Sequence, residues 1–514
     1  MQPIRLIRGF LTVGGWTAMS RILGFVRDVG FAAALGAGPV AEAFYTAFSL
    51  PNMFRRLFAE GAFNTAFVPM FSKKVEADTN PHEFARDALT GLATIVLIFT
   101  IVAQIFMPAL VLMLASGFAG DERLELATLY GRIAFPYIFF ISLSALLSGV
   151  LNAIGRFSAA AAAPVLLNVI FVIAIFGARA MGLDMGLTLT WVVPIGGIAQ
   201  LTLVWVAAHR AGYTLIPRMP RMTPELKRLA IIAGPAALAM GVVQINLIVG
   251  RQVASYFDGA IAWLFMADRL YQLPLGVVGI AIGIVLLPDL SRRLRAGDQN
   301  GSRESLSRAG EFAMLFTIPS AVALVVIPMQ LVSVLFERGA FTADDTANTA
   351  LAVAVYGLGL PAFVMQKVLQ PIYFARENTR TPFYFALLSL AVNAVIAIGM
   401  APVIGYIAAA FGTTLASWAM TGALWIGAAR MGDSTRFDSR FWRRLIGIFL
   451  ASLIMGAALW GGVVVMGPMF GTPGLKILAL VIEIALGVVV YFLAGQLLGA
   501  VNFRDLKKML KRSA

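Results

Sequence analysis

The sequence predicts an all-α polytopic membrane protein of about 14 transmembrane helices, built as two parallel six-helix lobes followed by two C-terminal helices. Composition, hydropathy and the patterning of charge and repeats predict it. Of the 514 residues, 60% are hydrophobic and only 13% charged, where soluble domains carry roughly a quarter. The mean hydropathy of +0.85 leaves no polar stretch long enough for a soluble domain. Basic residues alternate between loops, and two regions echo each other at similar spacing.

A spanning helix needs about 20 apolar residues and each connection about 10 to 15 more, so a chain of this length holds on the order of 14 spans. Apolar runs bounded by Gly, Pro and charge place them near 9–35, 41–71, 88–115, 126–153, 159–180, 186–208, 229–257, 260–290, 309–336, 346–375, 381–402, 405–429, 444–467 and 475–500. The second, eighth and tenth are long enough to tilt or to protrude into water.

Charge orients them. With both termini in the cytoplasm, 28 of the 40 Lys and Arg fall in cytoplasmic segments. Only Arg123, Arg179, Arg338 and Lys476 fall opposite, and the remaining 8 lie within or at the ends of spans. That asymmetry sets an even number of spans and a multi-pass chain with both ends inside. Arg440 to Arg444, Arg292–Arg293 and the tail from Lys507 to Arg512 read as retention signals facing anionic headgroups. The first apolar stretch runs into Arg21 and Arg27 with no cleavage pattern, so no removable signal is expected.

Composition also excludes chemistry. With no cysteine, thiolate metal sites and cysteine nucleophiles are absent, and His82 and His209 supply little for metal or triad chemistry. No phosphate-binding glycine loop is present, so ATP hydrolysis is not expected. The net charge of +14 reflects membrane topology rather than a nucleic-acid partner. Neither metal nor cofactor is expected.

The internal echo is specific. Pro69-Met70-Phe71-Ser72-Lys73-Lys74 and Pro288-Asp289-Leu290-Ser291-Arg292-Arg293 share P-x-[FL]-S-[KR]-[KR], offset by 219 positions. Pro136, Arg156 and Pro164 echo Pro361, Arg380 and Pro382 at offsets of 225, 224 and 218. A shift of six helices preserves membrane orientation, hence parallel repeats, with a substrate site expected between them. The predicted organisation is 1–212 for the N-lobe, 213–228 for a cytoplasmic linker, 229–430 for the C-lobe, and 431–514 for helices thirteen and fourteen with their basic tail.

Ionisable residues at membrane depth point to the site. Arg21, Arg27 and Asp28 lie in the first span, Glu42, Arg55, Arg56 and Glu60 in the second, Asp268 and Arg269 in the eighth, and Lys367 in the tenth. An arginine at a helix centre costs about 2.5–3.5 kcal/mol on the lenient insertion scale, so these must line water or pair with acids. Arg21 and Asp28 share a helix face two turns apart, and Arg56 and Glu60 stand at i,i+4. Asp268 and Arg269, adjacent in sequence, point about 100° apart. Arginine rather than lysine fits bidentate grip of phosphate or carboxylate and stays charged when buried. Asn393 and Thr414 read as inter-helix hydrogen bonds.

The segment from Ser20 to Asp28 (SRILGFVRD) is similar to the first-helix signature of the MurJ (MviN) lipid II flippase family, within the multidrug/oligosaccharidyl-lipid/polysaccharide exporter superfamily. So are Ala47-Phe48-Ser49-Leu50-Pro51-Asn52, the run from Arg55 to Phe63, and Ala267-Asp268-Arg269-Leu270 with Pro274 and Gly276. The resemblance runs along essentially the whole chain. It implies movement of the undecaprenyl-pyrophosphate-linked peptidoglycan precursor from inner to outer leaflet by alternating access. It implies substrate-binding arginines at Arg21, Arg27, Arg55 and Arg269, with the acidic position after the first helix kept as Glu42. Asp28, Glu60, Asp268 and Lys367 read as supporting residues. A hydrophobic groove on helices thirteen and fourteen is implied for the lipid tail.

Two departures stand out. Gln272 replaces an acid found in some relatives, and the eleventh and twelfth spans hold no acid. Sodium coupling is therefore not expected, and the membrane potential acting on the cationic cavity is the expected driving force. The implied partners are lipid II, membrane lipids, and cell-wall synthases and division proteins, around a monomer in the bacterial inner membrane. The rival readings are a flippase for another polyprenyl-linked glycan, a cation-expelling multidrug antiporter, which would want acids dominating the cavity, and a non-transporting scaffold.

Overall fold

The computed structural model describes residues 3–56, 62–472 and 474–500. These contain eighteen α-helices, joined by turns and two short 3-10 segments, and no strand among the described residues. In order they are α1 (Pro3–Leu35), α2 (Pro39–Arg55), α3 (Ala62–Glu76), α4 (Pro81–Ile105), α5 (Met107–Leu114), α6 (Glu122–Ala134), α7 (Tyr137–Ala153), α8 (Ser158–Met181) and α9 (Met185–Arg210). Then follow α10 (Pro224–Ala254), α11 (Ala260–Arg295), α12 (Gln299–Val326), α13 (Pro328–Phe336), α14 (Ala343–Phe374), α15 (Arg380–Ile404), α16 (Ile407–Ala429), α17 (Ser439–Phe470) and α18 (Lys476–Leu497).

Among the described residues ten helical stretches are long and apolar enough to cross a membrane: α4, α6 with α7, α8, α9, α12, and α14 to α18. The other expected spans are helical too, as α1, α2 with α3, α10 and α11. Three spans expected as continuous are divided within the described residues. The one at 88–115 changes helix at Phe106, before the first-turn Pro108 of α5. That at 126–153 breaks at Phe135–Pro136, and that at 309–336 at Ile327, before Pro328. In the span expected at 41–71, α2 and α3 are described to either side of residues 57–61, which lie outside the described residues. Proline lacks the amide hydrogen and clashes with the carbonyl four residues back, so it opens helices more readily than it continues them.

Helix ends follow local chemistry. Thr342 and Asp345 form a capping box on α14, each side chain accepting from the other's backbone N–H. Asp438 accepts from Phe441 N at the start of α17, and Asp184 from Leu187 N at the start of α9. Gly182, at φ +64°, stops α8.

The chain forms two compact units. The first is Met1–Ala262 with Arg338–Phe341. Its core pairs α1 with α8, α8 with α9, α7 with α9 and α2 with α6, and α10 packs on α3, α4 and α5. Helix α10 clusters with this unit through its contacts with α3. The second unit is Trp263–Glu337 with Thr342–Ala514. There α14 packs on α16, α15 on α16, α12 on α14 and α17, and α17 on α18. Under a six-span shift, the α7–α9 and α8–α9 pairs of one unit correspond to the α14–α16 and α15–α16 pairs of the other. Both copies of the P-x-[FL]-S-[KR]-[KR] motif close a helix, α3 and α11.

Much of the charge assigned to headgroups is taken up by protein acids. Arg444 and Arg440 lie 3.1 and 3.6 Å from Glu311, and Arg308 joins the same carboxylate at 2.5 Å. Arg292 and Arg293 pair with Asp289 at 2.5 and 2.8 Å. In the linker, Arg218 donates to Asp87 at 2.6 Å and to Glu83 at 3.1 Å, and these bonds raise its proton affinity, led by that to Asp87. Most of these acids sit one or two helical turns from their partners or on a neighbouring helix, where a loop-by-loop tally does not see them. The tail from Lys507 to Arg512 lies outside the described residues.

Candidate substrate site

On α1 the guanidinium of Arg27 is held on three sides. Nε and Nη2 donate to Asp28 Oδ1 at 3.0 and 2.7 Å, and Nη1 donates to Asn168 Oδ1 on α8 at 2.8 Å. The rings of Phe31 and Phe171 lie 5.4 and 5.7 Å from its central carbon, within cation–π range. Those rings belong to a fully buried aromatic cluster: Phe31 stands edge-on to Phe44 and to Phe171 at 5.3 and 5.1 Å, and Phe48 meets Phe171 at 5.9 Å. Asn168 is itself fixed, its amide donating to Ser20 O at 3.0 Å. This close approach of α8 to α1 occurs at Gly24, where a Cβ would stand 3.4 Å from Asn168 Nδ2.

Asp28 therefore pairs with its sequence neighbour Arg27, although its helix face suggested Arg21. The long, flexible arginine chain spans the angle between adjacent Cβ atoms. Arg21 is exposed on α1, six residues before Arg27 and about 9 Å from it along the axis. Arg55 is the last residue of α2 and half-buried, and Arg56 follows it exposed. Glu60 lies outside the described residues.

Glu42 sits in the first turn of α2, where the helix dipole favours an anion. It is buried, accepting from Arg123 Nη1 through Oε2 at 2.9 Å and from Ile261 N through Oε1 at 3.1 Å. Arg123 also donates through Nε to Asp121 at 2.6 Å, reaches Asp258 at 3.2 Å and lies 4.6 Å from the Phe118 ring. The backbone N–H and side chain of Arg123 hold the Asp121 carboxyl below its ordinary value. Arg123 is thus the centre of an ion network, buried at Glu42 and exposed at Asp258, that ties α2, α6 and the α10–α11 turn.

In the second unit, Arg269 on α11 is half-buried with its guanidinium 4.3 Å from the Phe265 ring. Asp268, beside it, accepts a hydrogen bond from Gln272 one turn on. Lys367 on α14 is exposed, and its stem passes the surface of α11 at Gly279, where a Cβ would be 3.7 Å from Cγ. Gln366 instead faces inward, donating to Ser417 O and Oγ at 3.0 and 2.9 Å. Thr414 donates to Val355 O at 2.9 Å, the inter-helix bond expected of it.

Against known proteins, a family model described as "Lipid II flippase MurJ" matches residues 31–484. The chain belongs to the MurJ family. A Rhizobium tropici protein named "Probable lipid II flippase MurJ" is 41% identical over 99% of this chain and 97% of its own length. A Burkholderia cenocepacia protein named "Lipid II flippase MurJ" is 36% identical over 78% and 80%. A solved MurJ structure in an inward closed conformation superposes with a TM-score of 0.80 at 26% identity, covering 96% of this chain and 99% of that one. An inward-facing MATE multidrug transporter of the MOP superfamily shares the fold, with a TM-score of 0.66 at 13% identity over 80% and 94%.

The MurJ family membership and the long apolar helices make this a multi-pass membrane transporter. Sequence reasoning reached Arg27, Asp28, Arg269 and Glu42 as charges at depth. It missed Asn168, which an isolated amide in an apolar span could have flagged, and Arg123, taken as an ordinary loop cation. It also missed Glu483, the only acid in α18.

Proposed function

We propose that this chain moves lipid II, the undecaprenyl-pyrophosphate-linked peptidoglycan precursor, from the inner to the outer leaflet of the bacterial cytoplasmic membrane by alternating access. The observation that carries the reading is family membership over nearly the whole chain, together with an arginine at membrane depth, Arg27, held by Asp28, Asn168 and two aromatic rings. Arg21, Arg27, Arg55 and Arg269 draw the pyrophosphate from the inner leaflet while the polyprenyl chain stays in lipid or along the last two helices. Arginine suits that task because its planar fork grips two phosphoryl oxygens and keeps its charge in a desolvated site.

Headgroup binding neutralises the cavity and lets the lobes close behind it; opening outward releases it. The empty cationic cavity then returns toward the negative interior. A membrane potential contributes about 2.3 kcal/mol per charge per 100 mV, enough to shift such an equilibrium without sodium. Both termini face the cytoplasm, as the basic-residue asymmetry supports. The protein acts as a monomer and transports rather than catalyses, with cell-wall synthases and division proteins as neighbours.

The test is depletion of the protein in its own cell, followed by an externally added enzyme that cleaves lipid II. Loss of cleavage with precursor accumulating inside supports the reading. Unchanged cleavage, in a cell without a second flippase, turns the assignment toward another polyprenyl-linked glycan.

A further inference from the structure

Helix α18 contains the most apolar of the ten candidate spans, with a mean hydropathy of 2.7. Between Lys476 at its start and Tyr491, its only ionisable side chain is Glu483. Glu483 is fully buried, at 0% exposure. Neither carboxyl oxygen has a hydrogen-bond partner among the described residues. The carboxyl is seated against Gly462 of α17: a Cβ built there would lie 2.5 Å from Oε2, 2.8 Å from Oε1 and 2.9 Å from Cδ. The acid thus fills space that only a glycine leaves open.

Charges on the neighbouring helices α12, α13 and α17 are remote; those of α12 (Arg303, Glu304, Arg308 and Glu311) all precede Leu315, which meets Tyr491 two turns beyond Glu483. On α17, residues 445–470 hold no ionisable group, and its cations Arg440, Arg443 and Arg444 cluster at the start. Arg444, 18 residues before Gly462, is about 27 Å away along the axis and engaged with Glu311 at 3.1 Å. Helix α13, which also packs on α18, has no ionisable residue. Glu337, just after α13, takes Lys476 at 3.7 Å, about 10 Å along α18 from Glu483. Tyr491, two turns beyond, gives its hydroxyl to Leu315 O at 2.6 Å.

An ionised carboxylate buried without partners is so unfavourable that such a group neutralises instead. A hard metal cation needs several oxygen ligands, and no group of three or more His, Cys, Asp or Glu that could hold a metal occurs among the described residues. We infer that Glu483 is a proton-binding site inside the membrane, closed by Gly462 of α17 and occupied by a proton while α17 and α18 are packed together. Loss of that proton requires water to reach the carboxyl, so deprotonation and loosening of the α17–α18 pair are one event. This holds whatever substrate the protein carries.

Infrared spectroscopy of the full chain in lipid vesicles tests it. At neutral and mildly alkaline pH, well above the ordinary carboxyl range of about 4, the wild type should retain a carboxylic-acid carbonyl band. Glu483→Gln should lose one carboxyl's worth of it. The wild-type melting temperature should fall as pH is raised into the alkaline range, and that of E483Q should stay flat. Equal bands in the two proteins, or no protonated-acid band in the wild type, overturn the proposal. If E483Q does not fold, carbon-13 glutamate in the unsubstituted chain decides: a shifted acid band supports the site, and no acid band from glutamate removes it.

Discussion

Arg27 Nη1 donates to Asn168 Oδ1 at 2.8 Å, joining α1 to α8 across 141 positions of sequence. Because Asn168 also anchors itself on Ser20 O, it fixes where the guanidinium sits rather than merely touching it. Replacing Asn168 by Leu removes one charge-assisted hydrogen bond, worth about 1.5–3 kcal/mol. Lipid II accessibility should fall severalfold while the protein remains folded in the membrane. Asn168→Asp keeps the acceptor and should transport better than Asn168→Leu.

Arg27→Lys separates charge from shape. Lysine keeps the cation but cannot hold Asp28 and Asn168 in one plane while presenting a fork to an anion. Transport should drop at least as far as in Asn168→Leu, and Arg27→Ala or Arg269→Ala should abolish it. Near-normal flipping by Arg27→Lys would show that charge alone suffices.

Arg123→Ala strands Glu42, which is 1% exposed, without its cation. Removing one partner of a buried pair costs about 3–5 kcal/mol, so the melting temperature should fall clearly. Adding Glu42→Gln to Arg123→Ala should restore part of the loss. A double-mutant cycle measures the coupling, and purely additive losses would contradict the network.

Gly36 and Gly339 both stand at positive φ, +64° and +62°. A Cβ on Gly36 would strike Ala340 O, and one on Gly339 would strike Ala33 O, beside the bond from Ala340 N to Ala33 O at 2.9 Å. Alanine at either position should cost about 1–3 kcal/mol, read as a lower melting temperature. Alanine at Gly38, the N-cap of α2 with nothing within 4 Å, meets no clash and should cost less, by the cap preference alone.

Asp121 supplies a pH dependence. Arg123 holds its carboxyl below the ordinary value of 3.8. Its contribution is therefore present above 3.8 and lost as pH falls through the lower folded-state value. Asp121→Asn should melt below the wild type at neutral pH, with the gap narrowing in acid. A constant gap would mean that packing, not charge, accounts for the effect.

The helices were legible because water and lipid sort residues along the chain. The span expected at 475–500 is α18, and those at 381–402 and 405–429 are α15 and α16 to within a few residues. The division at Phe135–Pro136 was not legible, since apolar residues continue on both sides and only the backbone changes. Charges at depth were visible one by one, but their partners were not. Glu42 and Arg123 are 81 positions apart, and Glu311 collects arginines from two helices. Glu483 was not legible for a related reason: the meaning of a single acid in an apolar span lies in the absence of a neighbour, which only the packing shows.

The cradle of Arg27 also sets a limit by valence. A guanidinium has five N–H hydrogens. The bonds to Asp28 and Asn168 engage three of them, leaving one on each terminal nitrogen. Those two can meet two oxygens of one phosphoryl group and no more. A diphosphate gripped in this way at Arg27 has its second phosphoryl group still to be satisfied, and that group must find its donors on other residues.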